Sequence, residues 1–475
     1  MWNKHAYKKE LLAKMEEMTP RVDCLEKKEE KKVAPSRHKG LFWALGSAAF
    51  VGVVVGGGYG IYHAFQRKTP TTEGKLLIAP QAKEAVETIS ETSRAIYQTF
   101  VKKTTYQALA DNYRGASLSY SPVDAFLSLS MEVYASSPAV QASYAAALGA
   151  ASMDEVNEAG KEISLFLGTP QSSFVSTRLF LGDFGGACFN SLWLSPETPL
   201  VANPSATLAG LAHYYYASVY HQQPSSEALN DWLRSVAPAG FNSLPHIDIP
   251  AGSNAALASA TFLRDEYEET VRNRLYEQYT SQKHYLDFAL ADKTTKKADY
   301  IESTSDNSVD VSFGDHYVSA PYALGGTTLH FSLPEEGYTP LAVLPDVLAK
   351  NTTSVGNYRL TLKAPYFQID SQLGLLSLVD TLAVSSLKTS SLQGLVDPRY
   401  GESLEGIAQF SLLRFNYDGF YAVSATVSYD SGSFPISRPF YELTLNRPFL
   451  FSVEYSSLPL FYGIVMAPNY PAFGS

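Results

Sequence analysis

The stretch Asn416–Phe451 reads NYDGFYAVSATVSYDSGSFPISRPFYELTLNRPFLF, and the rest of the chain is interpreted around it. After Gly419 the residues alternate between two faces, with a period of two that is typical of a strand. The face with small side chains comprises Ala422, Ser424, Thr426 and Ser428, and the other comprises Tyr421, Val423, Val427 and Tyr429. Gly432, Pro435 and Pro439 then interrupt the pattern. The stretch is therefore either an ordinary strand with a loop or a loop able to become a strand.

The composition is that of a globular protein. The 475 residues are 45% hydrophobic and 18% charged, which allows a large core or more than one domain. The net charge of -10 argues against a nucleic-acid partner. Tyrosine and phenylalanine are abundant, with 31 and 25 residues, and predict much β-sheet.

A membrane anchor is predicted near the amino terminus. Residues 41–65 contain no Lys, Arg, Asp or Glu and are long enough to cross a bilayer as one helix. The preceding residues 1–40 hold 11 Lys and Arg, which predicts a basic cytoplasmic tail and an extracellular main domain. Residues 66–84 are interpreted as a linker and 85–475 as the extracellular domain. A signal peptide is the alternative, but the basic leader is long for one.

The positions of the cysteines argue against a disulfide, and the absence of common enzyme motifs argues against an enzyme. Cys24 and Cys188 would lie on opposite sides of the membrane, so no disulfide is expected. An exported domain without a disulfide favours a bacterial cell. The sequence lacks the motifs HExxH, GxSxG, paired CxxC and GxxxxGK[ST]. We expect neither an enzyme nor a bound metal or cofactor.

Seven segments, taken in chain order, resemble the serpin family of protease inhibitors. The first is Ser117–Val133, SLSYSPVDAFLSLSMEV, which resembles the serpin pattern Asn-x-x-x-Ser-Pro-x-Ser. The others are Phe189–Glu197, Tyr214–Leu233 with its Asn-x-Trp at Asn230 and Trp232, Ala255–Val271, Ser319–Gly337, Leu362–Val384 and the carboxy-terminal signature at Leu445–Pro468. The resemblance implies an α+β serpin fold: three β-sheets, about eight to nine helices and an exposed reactive loop, here preceded by a single transmembrane helix.

The resemblance also implies a mechanism for the opening stretch. An inhibitory serpin presents its reactive loop to a protease, and after cleavage the loop enters the main sheet as an extra strand with the acylated protease attached. By that pattern Gly419 is the hinge glycine. The hinge residues are Tyr417, Gly419, Phe420, Tyr421, Ala422, Val423, Ser424, Ala425 and Thr426. The alternative is a solvent-exposed hairpin whose small residues have no role.

Several residues depart from the family pattern. Tyr417 replaces a glutamate, and Phe420 replaces a threonine or serine that enters the sheet first. Unless neighbouring residues make room for this ring, burying it is expected to cost about 1–3 kcal/mol by overpacking and to slow insertion, so that Phe420→Thr would speed it. By position, a rebuilt sheet-opening cluster is expected from Ser117, Ser121, Asp124, Gln409 and Tyr267.

The bond that a protease would cleave has two candidate positions. Counting forward from Gly419 predicts Ser433-Phe434, whereas counting back from Arg447-Pro448 predicts Ser437-Arg438. A small residue at the cleavage site suits an extracellular elastase-like or subtilisin-like serine protease. The functional hypothesis is a membrane-tethered inhibitor of serine, or else cysteine, endopeptidases. The alternative is a non-inhibitory serpin fold that serves as a surface binding or structural protein.

Overall fold

The computed structural model describes residues 75–80, 86, 88–167, 184–238, 241, 243–267, 269–281, 285–324, 327–400, 403–421 and 439–470. All of them belong to one unit, Ile61–Ser475, whereas the other unit, Met1–Gly60, lies outside the described residues. No helix in the described ranges combines the length and the apolar character needed to span a bilayer. The predicted tail at 1–40 and the predicted span at 41–65 lie outside those ranges.

Sixteen strands are described. They are β1 (Lys75–Ile78), β2 (Leu118–Tyr120), β3 (Phe184–Leu194), β4 (Ala217–His221), β5 (Ala255–Glu266), β6 (Tyr285–Ala289), β7 (Thr295–Phe313), β8 (Tyr317–Ala323), β9 (Thr327–Pro334), β10 (Ser354–Pro365), β11 (Phe367–Gly374), β12 (Ala408–Asn416), β13 (Gly419–Tyr421), β14 (Phe440–Thr444), β15 (Phe449–Tyr455) and β16 (Leu458–Val465).

The helices follow in chain order between these strands. They are α1 (Glu91–Asn112), α2 (Pro122–Tyr134), α3 (Pro138–Leu148), α4 (Met153–Leu167), α5 (Ser205–Tyr214), α6 (Ser226–Val236), α7 (Glu269–Thr280), α8 (Pro340–Ala349) and α9 (Leu378–Thr381).

Two sheets organise the domain. The 7-stranded sheet has the order β1-β4-β3-β5-β13-β12-β11. The 9-stranded sheet has the order β14-β10-β7-β8-β9-β15-β16-β2, and β6 pairs with β7 beside this path. This α+β arrangement agrees with the sequence-based expectation.

The segment Lys75–Ile78 differs from the prediction. It lies in the range assigned to a linker, 66–84, but it forms strand β1, which pairs antiparallel with β4 at the edge of the 7-stranded sheet. Leu77 and Ile78 pack against the core, which is why this short apolar stretch is held in the sheet. The folded domain therefore begins before the predicted boundary at residue 85.

The 7-stranded sheet is covered on both faces. Neighbouring side chains of a strand point to opposite faces, and on β5 Phe262 joins a cluster with Trp232 of α6 while Leu263 joins the main core. On the main-core face, phenylalanine rings connect the two sheets, since Phe367 and Phe451 have ring centroids 5.4 Å apart. Helix α6 therefore covers one face, and α2 with the second sheet covers the other.

A Ser-Pro pair such as Ser121-Pro122 is typical of a helix start, and helix α2 begins there. Ser121 is its N-cap, and its hydroxyl accepts a hydrogen bond from the Asp124 backbone N–H at 3.3 Å. Pro122 occupies the first turn, where its missing N–H costs nothing. The helix packs against β5 of the 7-stranded sheet, which places its first turn beneath the region where the opening stretch enters that sheet.

Candidate functional site

A tight turn connects β12 to β13 at the start of the opening stretch. The side-chain oxygen of Asn416 accepts a hydrogen bond from the Asp418 N–H at 2.9 Å, and the Asp418 carbonyl accepts one from the Tyr267 N–H at 2.9 Å. Gly419 then adopts φ 140°, and a Cβ there would lie 2.0 Å from the Asp265 carbonyl oxygen. Only glycine fits this position, because both the backbone angle and the space exclude a side chain.

Strand β13 lies between β5 and β12 and is antiparallel to both. Phe420 is opposite Phe415 of β12 and opposite Asp265 of β5. The Phe420 side chain is 0% exposed and belongs to the main core, with its ring centroid 6.5 Å from that of Phe451. The expected overpacking is therefore not what the structure shows: the second sheet makes room for the ring, which already lies inside.

Beyond Tyr421 no described strand lies between the two outer strands. In the described part of the chain, no strand pairs with the edge of β5 from Ala255 to Leu263 that faces β12, or with the β12 edge from Ala408 to Leu413 that faces β5. A cavity of about 780 Å³ separates these edges and reaches down to Asp124, Ser128 and Glu132 of α2. We call this gap between β5 and β12 the slot.

The floor of the slot is polar. Gln409 of β12 binds the Ser121 backbone twice: its side-chain N–H donates to the Ser121 carbonyl and its oxygen accepts from the Ser121 N–H, both at 2.7 Å. Thr261 of β5 donates its hydroxyl to the Asp124 carboxylate at 2.7 Å. Burial raises the pKa of Asp124 to about 6. These contacts fasten both outer strands to the start of α2.

A fold of this kind, with a gap in the main sheet and a hinge glycine above it, matches one known family. The model of the family described as serpin (serine protease inhibitor) matches residues 98–468. The chain belongs to the serpin family. No curated protein sequence matches it.

Solved serpin structures share this fold at low sequence identity. The native thermophilic serpin tengpin superposes with a TM-score of 0.61 at 16% identity, over 83% of this chain and 100% of tengpin. Serpin48 of the insect Tenebrio molitor gives 0.60 at 13%, over 80% and 99%. Thyroxine-binding globulin in complex with thyroxine gives 0.59 at 14%, over 79% and 99%. These similarities establish the serpin fold of this chain.

The residues predicted to form one sheet-opening cluster occupy three places in this serpin. Ser121, Asp124 and Gln409 meet beneath the slot. The Ser117 hydroxyl instead accepts a hydrogen bond from the Met466 N–H at 2.9 Å, beside the end of β16. The Tyr267 hydroxyl lies 3.0 Å from that of Tyr322, near the hinge. Ser117 is therefore removed from the cluster, because β2 pairs with β16 and directs this hydroxyl to the carboxy-terminal segment.

A group of three serines was not predicted and takes the place of Ser117. The Ser119 and Ser411 hydroxyl oxygens lie 2.6 Å apart, and those of Ser371 and Ser411 lie 3.0 Å apart. Ser119 is two residues from Ser121, and Ser411 is two residues from Gln409, so each shares a strand face with a predicted residue. The period of two along β2 and β12 is the sequence signal that could have identified Ser119 and Ser411.

Tyr417 lies in an aromatic group at the hinge of this serpin. Its ring centroid is 5.1 Å from that of Tyr276 and 5.0 Å from that of Tyr279, both on α7. Burial raises the pKa of the Tyr417 hydroxyl. Where the family has a glutamate, this serpin therefore holds its hinge by ring packing.

Part of the predicted site lies outside the described residues. This applies to Ala422, Val423, Ser424, Ala425 and Thr426 of the hinge, and to both candidate cleavage positions, Ser433-Phe434 and Ser437-Arg438. Of Tyr421 only the backbone is described, in register with Arg414 and Arg264. Among the described residues, no group of three or more His, Cys, Asp or Glu side chains is arranged to hold a metal ion.

Replacing Gln409 with leucine is expected to destabilise the domain. The change leaves the buried N–H and carbonyl of Ser121 without their partner, at a cost of about 1–3 kcal/mol for each group. Thermal unfolding followed by circular dichroism measures the effect. Gln372→Leu on the neighbouring strand is the control, because that side chain is exposed. Equal melting temperatures for the two variants would contradict the bridging role of Gln409.

Proposed function

We propose that this serpin inhibits serine proteases by inserting its cleaved reactive loop, residues 419–439, into the slot. One observation carries the proposal: β13 already pairs with both β5 and β12, and the slot continues the same two strand edges. An entering strand would satisfy backbone N–H and carbonyl groups along both edges at once. Strand addition of this kind is a known way for sheets to gain main-chain hydrogen bonds.

The register of β13 predicts the neighbours of each inserted residue. Since Tyr421 lies opposite Arg264 and Arg414, continuing the ladder puts Ser424 opposite Thr261 and Ser411. Phe420 points inward, so the alternation directs Ala422, Ser424, Thr426 and Ser428 inward as well. These small side chains match the narrow space above α2. The register therefore supports an inserted strand at least as far as Asp430, opposite Ala255.

The buried position of Phe420 also favours the inhibitory function over the non-inhibitory alternative. The mark of a non-inhibitory surface protein is a hinge that departs from the family pattern, and Phe420 is one of those departures. Because that ring lies in the core, it presents no barrier to the residues that follow it. Thyroxine-binding globulin, a similar structure, binds thyroxine, so a ligand-carrying role is the other outcome to test.

A covalent complex between this protein and a protease can be detected on a denaturing gel. The full chain, purified in a non-ionic detergent, is mixed with subtilisin, elastase and chymotrypsin. We expect a band at the summed mass of the protein and the protease, and we expect cleavage at Ser433-Phe434 or Ser437-Arg438 by mass spectrometry. Cleavage without that band, and without a rise in the melting temperature of the cleaved protein, would indicate the non-inhibitory alternative.

We also propose that residues 41–65 tether the inhibitory domain to the outer face of a cell membrane. Support comes from the uncharged stretch and the basic residues that precede it. The protein would then protect its cell surface against extracellular elastase-like or subtilisin-like proteases. Alkaline carbonate extraction of membranes from expressing cells tests this: the full chain should stay in the pellet, and a variant lacking 41–65 should not. A full chain in the supernatant would refute the tether.

A further inference from the structure

Asp124 places a carboxylate in the floor of the slot, where the family pattern has a serine. It lies in the first turn of α2, and its carboxylate accepts a hydrogen bond from the Thr261 hydroxyl at 2.7 Å. Thr261 is also the residue that faces Ser424 when the β13 register is continued. A strand that fills the slot would therefore lie directly over Asp124.

Covering a carboxylate changes its protonation equilibrium. In the open slot the Asp124 side chain is half-buried, and burial already raises its pKa to about 6. An inserted strand would remove the remaining water, and loss of water penalises the charged form of an acid. The neutral acid suits the filled slot better, because its O–H can donate a hydrogen bond to a hydroxyl oxygen of the inserted strand. The pKa in the filled slot is therefore above that in the open slot.

Other ionisable groups surround the slot on each element that lines it. They are Glu132 on α2, Arg414 on β12, Glu405 just before β12, Asp248 in the segment that precedes β5, and Tyr97 of α1 and Tyr120 of β2 beneath Asp124. Burial, neighbouring tyrosines and the Asp124 charge keep the pKa of both tyrosines above 10, so they stay neutral at physiological pH. Arg414 donates to Gln368 of the next strand at 3.1 Å. No histidine is present among the described residues that line the slot.

We propose that Asp124 is a positioning residue that sets how fast a strand enters the slot, and that entry takes up one proton at this carboxyl. The inference rests on the proposed function, since it assumes that the slot receives a strand. Because filling the slot raises the pKa of Asp124, insertion is fastest when Asp124 is already protonated. Insertion therefore slows as the pH rises above about 6. The slowing is at most about tenfold per pH unit, because one proton is involved.

Strand entry can be measured without any protease. A synthetic peptide with the sequence of residues 422–430, AVSATVSYD, is labelled with rhodamine and mixed with the full chain between pH 5.5 and 8.5. Fluorescence anisotropy gives the rate of association. We expect the wild-type rate to rise about tenfold or more from pH 8.5 to pH 6 and then to level off. The Asp124→Asn variant, which mimics the protonated acid, should associate at the fast rate throughout.

Two further variants test whether the pH dependence of association arises from Asp124. Glu132→Gln removes the other carboxylate on the α2 side of the slot and should keep the wild-type pH profile. Asp124→Ser restores the family residue and replaces Asp124→Asn if that variant fails to fold. A wild-type rate that is flat with pH, or a pH profile that survives in the Asp124 variants, would overturn the role of Asp124 alone. A peptide that enters no variant at any pH would refute the slot as a strand acceptor and this inference with it.

Discussion

Replacing Ser424 with arginine is expected to turn the protein from an inhibitor into a substrate. In the register set by β13, residue 424 faces inward between Thr261 and Ser411. An arginine there would force a long side chain into a narrow site that otherwise holds a serine, and overpacking costs about 1–3 kcal/mol even where the Asp124 carboxylate pairs with the guanidinium. Insertion would stop near this residue while cleavage of the loop continued. The yield of covalent complex should fall about tenfold.

The control for Ser424→Arg is the same change at the next residue. Ala425 alternates to the outer face, opposite Ala260 and Phe410, both of which are only half-buried. Ala425→Arg should therefore retain most of the trapping. The comparison is the ratio of complex to cleaved protein on a denaturing gel with one protease. Equal ratios for the two variants would refute the register, and with it the direction in which the loop is proposed to enter.

Replacing Phe420 with alanine is expected to lower stability by about 3–5 kcal/mol. The ring is 0% exposed and packs where the two sheets meet, so its removal leaves a cavity in the core and weakens the three-residue strand above the slot. The measurement is the midpoint of urea unfolding, with the melting temperature as a second readout. The same packing predicts that Phe420→Thr destabilises the protein rather than speeding insertion.

Phe440 provides a matched control for Phe420→Ala. It follows the loop on β14, and its ring is 68% exposed with the Arg359 guanidinium 5.3 Å from the centroid. Phe440→Ala should cost less than about 1 kcal/mol, the value of a surface contact of this kind. If both variants lost the same stability, the ring of Phe420 would not be an anchor of the hinge.

At the hinge, the sequence pattern predicts one residue's role, and contacts with other strands decide the environment of the next. Gly419 is the hinge glycine by resemblance to the family pattern, and the structure supplies the reason in its φ of 140° and its closeness to the Asp265 carbonyl. The sequence left open whether neighbouring residues make room for Phe420, because its environment includes β5 and β15, which are distant in the chain. A ring that looks too large beside its sequence neighbours fits when a second sheet provides the space.

In the polar cluster under the slot, too, some residues lie where the sequence pattern predicts and one does not. Ser121, Asp124 and Gln409 were predicted by position and do meet, whereas Ser117 was predicted by position and does not. Strand pairing explains why Ser117 lies apart from the other three residues. Residue 117 precedes β2, whose partner is β16, and no local pattern indicates that partner.

The sequence by itself determined the family, the order of the elements, the start of α2 at Pro122 and the alternation of small residues after Gly419. The family and the order of the elements follow from the resemblance of seven segments in chain order, whereas the helix start and the alternation follow from local propensities and periodicity, which neighbouring residues carry. Only the tertiary structure decided that Phe420 is buried, that β5 and β12 stand apart beyond β13, and that Asp124 faces the gap between them. The pairing of β13 with β5 and the contact of Thr261 with Asp124 join segments more than a hundred residues apart, and such contacts leave no periodic trace in the chain.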